Sequence, residues 1–336
     1  ACKAYVCLPA ANGDSRVYGD AVAQAIDHHR IALVIPTCEE VFHLAAVWEG
    51  RDMVARLFAP DLNILTQVHD KYVFVQLAKS FGLPVPQTDL LTCAADVDRF
   101  RARSEDFVFK PVWSRFATQV LIKPRHLHIE PTAQAPWVAQ AFVAGEEVSV
   151  YAFAHAGRVA AIAAYRSLYR AGKGAGIAFV PDDDPAIAAF VTRFVEATRW
   201  TGQIAFDLIR GADGGLTALE CNPRSTSGVH FFRQPDDFAR AFLDIGEVQP
   251  DVTGLQAVKS ALWLYGPWQK PVSFWRDLAR SVDVMDWPDD PVRLRHQLTA
   301  MWEIVRIARR HRISLPAATT HDIAWDGAPS TKHICA

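Results

Sequence analysis

The segment from Gly202 to Arg224 constrains this chain more than any other, because it reads as two strands joined by a tight turn. Ile204, Phe206 and Leu208 alternate with Gln203, Ala205 and Asp207, the period of a half-buried strand. Asp213-Gly214 is a strong two-residue turn signal. With the turn centred there, residue 212 faces 215, and counting back sets Asp207 opposite Glu220. Asn222 lies two residues further on and shares that face. Carboxylates directly opposed across a hairpin repel. Two arrangements relieve the repulsion: a solvated edge that screens both charges, or a cation bound between them. Three oxygen donors, with room left for water and phosphate oxygens, suit magnesium better than zinc. Arg224 follows closely, placed to hold phosphates that share the metal.

The rest of the chain allows such a site. Its 336 residues suffice for two or three domains with real cores. A net charge of −2 gives no general pull toward nucleic acid or an anionic membrane. No apolar run reaches spanning length, and the N-terminal residues do not read as a signal peptide. Cys2, Cys7, Cys38, Cys93, Cys221 and Cys335 are scattered with no C-x-x-C, so neither a disulfide framework nor structural zinc is expected, and a reducing cytoplasm fits. The chain begins at Ala1 without methionine, and an earlier natural start is expected.

Residues 1–66 read as part of an α/β unit. A strand is expected at Ala4–Leu8, a helix at Arg16–His29, and a buried parallel strand at Ile31–Ile35. Thr37 is expected to cap the next helix, which runs to about Glu49. Helices follow at His69–Phe81, stopped by Gly82-Leu83-Pro84-Val85-Pro86, and at Thr92–Arg103. Strands are expected at Phe107–Lys110, Leu121–Ile122 and Ala139–Val143, and a hairpin at Val148–Ala154 and Arg158–Arg166. Asp184–Trp200 and Phe238–Leu243 read as helices. Residues 246–336 form a third, mainly helical section with helices near 273–281 and 291–311.

Several segments carry residues suited to a phosphate ligand. Phe107-Val108-Phe109-Lys110-Pro111 sets a lysine at the end of an aromatic strand, and a desolvated ammonium needs an anion. The loop from Tyr165 to Gly176, with Arg166, Arg170 and Lys173, is basic and glycine-rich, so its N–H groups suit an anion cradle or simply a flexible crossover. It is not a Walker loop, since no Gly-Lys-Ser/Thr opens a helix. Arg166, at a strand end, suits a phosphate or a substrate carboxylate. Ser225, Thr226 and Gly228 follow the acidic strand and suit either a substrate carboxylate or a hydroxyl-capped turn. Cys221 is expected on the core face, which makes a nucleophile role improbable. His28-His29 and Arg125-His126-Leu127-His128 lack a partner cluster for metal. Arg309-Arg310-His311-Arg312 ends a helix, where cations favour the dipole.

The string Glu220-Cys221-Asn222-Pro223-Arg224, after a strand bearing Asp207, resembles the metal-binding strand of the ATP-grasp superfamily. The resemblance runs from about Lys71 to Ile245, and residues 1–66 resemble the partial Rossmann-like domain that often precedes that fold. It implies an α/β and α+β architecture: residues 1–66, an ATP-grasp domain at 67–245 with nucleotide between two subdomains, and a mixed, mostly helical section at 246–336. It also implies ATP with magnesium or manganese on Asp207, Glu220 and Asn222. Lys71 and Lys110 then reach the phosphates. Gln140 and the backbone of Ala141, Phe142 and Val143 meet the adenine, and Glu147 meets the ribose. Arg224, Lys110 and Arg166 are the implied catalytic cations. Arg166, Lys173, Ser225, Thr226 and Gly228 are the implied substrate residues. The implied activity is an ADP-forming carboxylate–amine ligase acting on small molecules in the cytoplasm, a homodimer being one form. A carboxylase or carbamoyl-phosphate type of enzyme, and a nucleotide-binding protein without ligase activity, are the alternatives. One departure stands out: the loop after Lys110 contains no glycine, so Ser114, Arg115 and Thr118 replace backbone wrapping of phosphate, or the lid is altered in function.

Overall fold

The computed structural model describes residues 4–113, 119–172, 175–287 and 294–327. Helix α1 (Ser15–His29) starts where Asp14 accepts from the amides of Arg16 and Val17, and it buries Tyr18, Val22 and Ile26 at four-residue spacing. Strand β1 (Leu33–Val34), helix α2 (Glu40–Gly50) and strand β2 (Arg56–Leu57) follow, and β1 pairs with β2 in parallel. The strand expected at Ile31–Ile35 is thus reduced to two residues. With one short partner it is not a buried strand, and Ile31 and Ile35 are exposed. Residues 4–8 form no strand either; Tyr5 is 91% exposed. The capping of α2 is the reverse of expectation: the Glu40 carboxylate accepts from the amides of Thr37 (2.6 Å) and Cys38 (3.0 Å).

The helix expected over His69–Phe81 opens at Asp70-Lys71, and His69 belongs to a separate helix before it. Helix α3 (Leu62–His69) ends there, and helix α4 (Lys71–Ser80) begins with Asp70 accepting from the amides of Tyr72 and Val73. This break fixes Lys71 as the first helical residue of α4. Strand β3 (Thr88–Leu91), helix α5 (Ala94–Asp98) and a 3-10 turn at Arg101–Asp106 replace the longer helix expected at 92–103. Strands β4 (Phe107–Pro111), β5 (Leu121–Ile122) and β6 (Trp137–Ala141) complete a four-stranded sheet in the order β3-β6-β4-β5. One face of this sheet packs Phe107, Phe109 and Ala139 against Leu91, Val97 and Phe100. Lys110 and Gln140 alternate with those residues and so lie on the other face.

Strands β7 (Glu146–His155), β8 (Arg158–Ala171) and β9 (Ala175–Asp182), helix α6 (Pro185–Thr198), and strands β10 (Gly202–Arg210) and β11 (Leu216–Asn222) build the larger sheet. A 3-10 turn at Ser227–Phe231 and helix α7 (Pro235–Phe242) come next. The C-terminal section adds strand β12 (Gln256–Ala257), helices α8 (Lys259–Gln269) and α9 (Phe274–Arg280), strand β13 (Val282–Asp283), and helices α10 (Leu294–His311) and α11 (Leu315–Ala318). The strand order is β11-β10-β7-β8-β9-β12-β13, so this mainly helical section also extends the sheet. One face packs Val150, Ile204, Phe206 and Leu208 under Phe190 and Phe194 of α6 and Phe74 of α4. Burial on this scale stabilises by about 2 kcal/mol per large apolar side chain. The opposite face packs Tyr151, Phe153 and Tyr165 against Phe231, Phe232 and Phe242.

Candidate active site

Asp207 and Glu220 are register partners, and the route to that pairing differs from the simple count. Arg210 pairs with Leu216, so the loop is Gly211–Gly215, closed by the Gly211 amide on the Gly215 carbonyl (2.8 Å), with Gly214 in the left-handed region at φ 80°. That register would set Asp207 opposite Leu219. A bulge between Leu208 and Asp207 skips Leu219 and restores Glu220 as the partner. The bulge has a second effect. The Leu219 carbonyl accepts from Gln140 Nε2 (3.3 Å), which joins the small sheet to the large one.

Two lysines converge on Glu220. Lys110 Nζ lies 3.4 Å and Lys71 Nζ 3.8 Å from the same oxygen, Oε2. Lys71 is 4% exposed and Lys110 5%. Lys71 also donates to the Val112 carbonyl (3.2 Å). Burial works against charge on Glu220, but Lys110 and Lys71 outweigh it and hold its carboxyl down to about 2. Asp207 responds in the other direction. Burial first, then the charge of Glu220, raise it to about 6, against the Ser149 hydrogen bond and Arg224. Ser149 Oγ donates to Asp207 Oδ1 (2.7 Å) and Asn222 Nδ2 to Asp207 Oδ2 (3.2 Å). Arg224 Nη2 donates to Asn222 Oδ1 (3.3 Å), while Arg224 Nε is buried with no hydrogen-bond partner.

This donor set fits a hard divalent cation: Asp207, Glu220 and Asn222 share one face and all three offer oxygen. Among the described residues no group of three His, Cys, Asp or Glu side chains gathers; the set here is two carboxylates and one amide.

The other expected residues divide. Gln140 is buried and bonded to Thr88 Oγ1 (3.3 Å) as well as Leu219. Strand β6 ends at Ala141, and the amides of Ala141 and Phe142 are taken by the carbonyls of Gln87 and Asp106 (both 2.8 Å). Those two amides are therefore spent within the fold; Val143 follows beyond the strand. Glu147 stands two residues from Ser149 on the same face of β7 and pairs with Arg170.

Arg166 is not brought to the acids. It lies opposite Val180 on β8, on the sheet face away from Asp207, Ser149 and Tyr165. There it bonds Glu146 (2.7 Å) and approaches Asp182 (3.2 Å), within a network that Arg210 shares. Strand alternation decides this, because a one-residue step changes the face. Lys173 lies outside the described residues, as do Ser114, Arg115 and Thr118. Ser225 and Thr226 lead from Arg224 into the 3-10 turn, and Tyr165 sits among Thr226, Ser149 and Ser227. Gly228 has a packing reason: a Cβ there would lie 2.5 Å from Tyr151 Cβ and 3.0 Å from the Ala163 carbonyl.

Sequence reasoning missed four contributors. Ser149 holds Asp207, and a serine within a strand carries no distinctive signal. His69, the last residue of α3, is buried and close enough to help lower Glu220; its ring lies 5.7 Å from that of Trp113, tilted by 43°. Glu39, also buried, accepts from the Trp325 amide (3.2 Å) and acts on Lys71. Trp325 in turn stacks on Phe42, so the C-terminal segment reaches the same neighbourhood.

Comparison with known proteins bears on the fold that carries these residues. Residues 68–228 match the family model described as an ATP-grasp domain. No curated protein matches the chain. Among solved structures, the ADP complex of N5-carboxyaminoimidazole ribonucleotide synthetase is similar with a TM-score of 0.56 and 15% identity, over 73% of this chain and 67% of that one. Biotin carboxylase from Campylobacter jejuni is similar with a TM-score of 0.55 and 11% identity, over 72% of this chain and 62% of that one. Phosphoribosylamine–glycine ligase from Thermotoga maritima is similar with a TM-score of 0.48 and 17% identity, over 59% of this chain and 60% of that one. The chain thus spans about two-thirds or less of the length of these proteins. At such identities the likeness is one of fold. Residues 68–228 of this chain are an ATP-grasp domain.

Proposed function

We propose that this protein is an ATP-dependent, ADP-forming carboxylate–amine ligase, with a preceding α/β section at 1–66, an ATP-grasp domain at 67–245 and a C-terminal section at 246–336. The carrying observation is Glu220, ionised between the buried ammoniums of Lys71 and Lys110 and facing Asp207 across the hairpin. Magnesium or manganese on Asp207, Glu220 and Asn222 supplies neutralisation of phosphate charge when bound.

The chain's own residues do the rest. Lys71 and Lys110 present positive charge that is fixed before the reaction, on a helix start and a strand end. Gln140 and Val143 border the adenine position, and Glu147 the ribose hydroxyls. Arg224, with its unpartnered Nε, orients the substrate carboxylate. A carboxylate oxygen forms a bond to the γ-phosphorus, and ADP leaves with the electron pair of the broken bond. The amine nitrogen then adds to the acyl carbon, phosphate leaves, and the amine gives up a proton. No protein nucleophile is needed, and Cys221 offers none: it is buried on the core face, where burial pushes its thiol well up.

The test is ADP release from purified protein with ATP, magnesium and pools of carboxylic acids and amines. Release that needs both an acid and an amine supports the ligase. Release with bicarbonate alone replaces it with a carboxylase, and tight nucleotide binding without turnover across the panel replaces it with a binding protein.

A further inference from the structure

After α11 the chain returns to the N-terminal section and lies along it from residue 320 to 327. The Asn12 amide donates to the Asp322 carbonyl (3.0 Å), Asn12 Nδ2 to the His321 carbonyl (2.6 Å) and His43 Nε2 to the Ala324 carbonyl (3.2 Å). Ile323 packs against the core that holds Tyr18 and Val22. Trp325 is buried, flat on Phe42 (ring centroids 5.3 Å apart, planes 12°) and edge-on to His43 (5.1 Å).

This segment bears on Lys71 by two routes. The Trp325 amide donates to Glu39 Oε2 (3.2 Å), and the buried Glu39 is one of the charges gathered round Lys71, with Glu220, Lys110 and Asp70. Two residues on, Gly327 (φ 88°) lies so close to the Trp113 indole that a Cβ there would stand 2.4 Å from Cε2. Trp113 follows Val112, whose carbonyl accepts from Lys71 Nζ (3.2 Å). One end of the segment thus fixes an acid that acts on Lys71, and the other backs the chain that takes its hydrogen bond. Phe42, His69 and Trp113 form a row of rings that closes the circuit from Trp325 to Gly327 (Phe42–His69 4.9 Å, His69–Trp113 5.7 Å). An ammonium that must meet an anion in one geometry loses effect when its supports shift.

We propose that Trp325 and Gly327 are positioning residues: the segment 320–327 holds Lys71 in place, through Glu39 at one end and Trp113 at the other, where its ammonium faces Glu220. The assignment rests on the reading of Lys71 as a contact to nucleotide phosphate, and not on which reaction follows.

The experiment measures binding of magnesium–ATP to the full chain by calorimetry, then ADP release with the pools of acids and amines. Trp325→Ala removes the ring and Gly327→Ala drives a methyl group into Trp113, so the two variants strike the segment at its two ends. Trp325→Phe keeps a ring on Phe42 and is the rescue. Leu262→Ala opens a cavity in the core of the C-terminal section and is the control for lost stability, followed in urea. Nucleotide binding should weaken at least about fivefold in Trp325→Ala and in Gly327→Ala, with the KM for ATP rising in step. Trp325→Phe and Leu262→Ala should stay within about twofold of the parent. Parental binding in either of the first two variants that folds overturns the proposal. So does equal weakening in Leu262→Ala, which would make the effect one of stability. Equal weakening in Trp325→Phe overturns it too, by making the active part the indole N–H, which is buried with no hydrogen-bond partner among the described residues. Segment-dependent nucleotide binding without ADP release keeps the positioning role and overturns the ligase. ADP release that needs acid and amine, with parental binding in both variants, keeps the ligase and overturns the positioning role. A parent protein that binds no magnesium–ATP overturns both.

Discussion

The two acids of the site make opposite predictions for stability. Asp207 is raised from 3.8 to about 6 in the folded protein, so its ionised form is disfavoured there. A group of this kind contributes stability below its unfolded value and loses it as pH rises through the folded value. At pH 8, without divalent cation, Asp207 costs about 3 kcal/mol, from a shift of roughly two units at 1.36 kcal/mol each. Asp207→Asn removes that cost and keeps an oxygen to accept from Ser149. The variant should therefore be more stable than the parent at pH 8, with the advantage fading toward pH 4. Glu220 is lowered from 4.5 to about 2, so it contributes stability above pH 4.5 that is lost only as pH falls through about 2. Glu220→Gln strands two buried ammoniums and should cost about 3 kcal/mol at pH 5 and less at pH 8, where loss of its charge relieves the ionised Asp207. Urea denaturation of both variants at pH 4, 5, 6 and 8, in chelator, checks this. An Asp207→Asn protein less stable than the parent at pH 8, or equally shifted at pH 4 and 8, would refute the reasoning. Both variants should lose ADP release, so one of them joins higher stability to lost activity, a combination that a purely structural acid would not give.

The other expectations separate site from scaffold. Lys110→Met keeps an apolar stem on β4 but removes the ammonium, and ADP release should fall at least about 100-fold in a steady-state assay. Arg166→Ala should leave the KM for ATP within about twofold while lowering the melting temperature, because its partners are Glu146 and Asp182 on the far face. Ser149→Ala removes a bond that favours the charged form of Asp207, so apparent magnesium affinity should fall severalfold at pH 6.5 and recover toward pH 8.5 in a metal titration. Gly228→Ala should cost about 1–3 kcal/mol in urea denaturation, since its methyl group meets Tyr151 and the Ala163 carbonyl.

What was legible in the sequence was mostly what alternation and short-range chemistry record. The β7–β8 hairpin, α6 and the pairing of Asp207 with Glu220 follow from periodicity and turn residues. The pairing came out right through two offsetting departures, a turn that closes one residue differently and a bulge at Leu219. Sequence does not show a bulge, because the skipped residue is defined by the hydrogen bonds of the opposite strand. Arg166 shows the complementary failure. Its type and its expected place at a strand end suited an anion site, but β8 runs on to Ala171 and the register against β7 and β9 fixes its face. The opening of α4 at Asp70-Lys71 was legible, since aspartate is a good cap, whereas α3 before it was not, and its N-cap Asp61 makes no side-chain cap bond. His69, Glu39 and Trp325 join the site through tertiary packing over long sequence separations, which no local pattern encodes.

The bulge also connects fold to function. An unbulged β11 would keep its ladder and set Leu219 against Asp207, removing the acid pair. The skipped residue instead gives its carbonyl to Gln140, on the inner face of the small sheet, one strand away from Lys110. Thus a single register shift both assembles Asp207 with Glu220 and clamps the small sheet where Lys110 reaches Glu220 at 3.4 Å. Lys71 adds a second clamp, bonding the Val112 carbonyl just past β4 while its charge faces Glu220. The small sheet is therefore held to the large one by groups whose charges also face Glu220. A ligand that draws Lys110 or Lys71 toward itself would weaken the same contacts that join the sheets, so occupancy by such a ligand and the spacing of the two sheets would be energetically linked through these side chains.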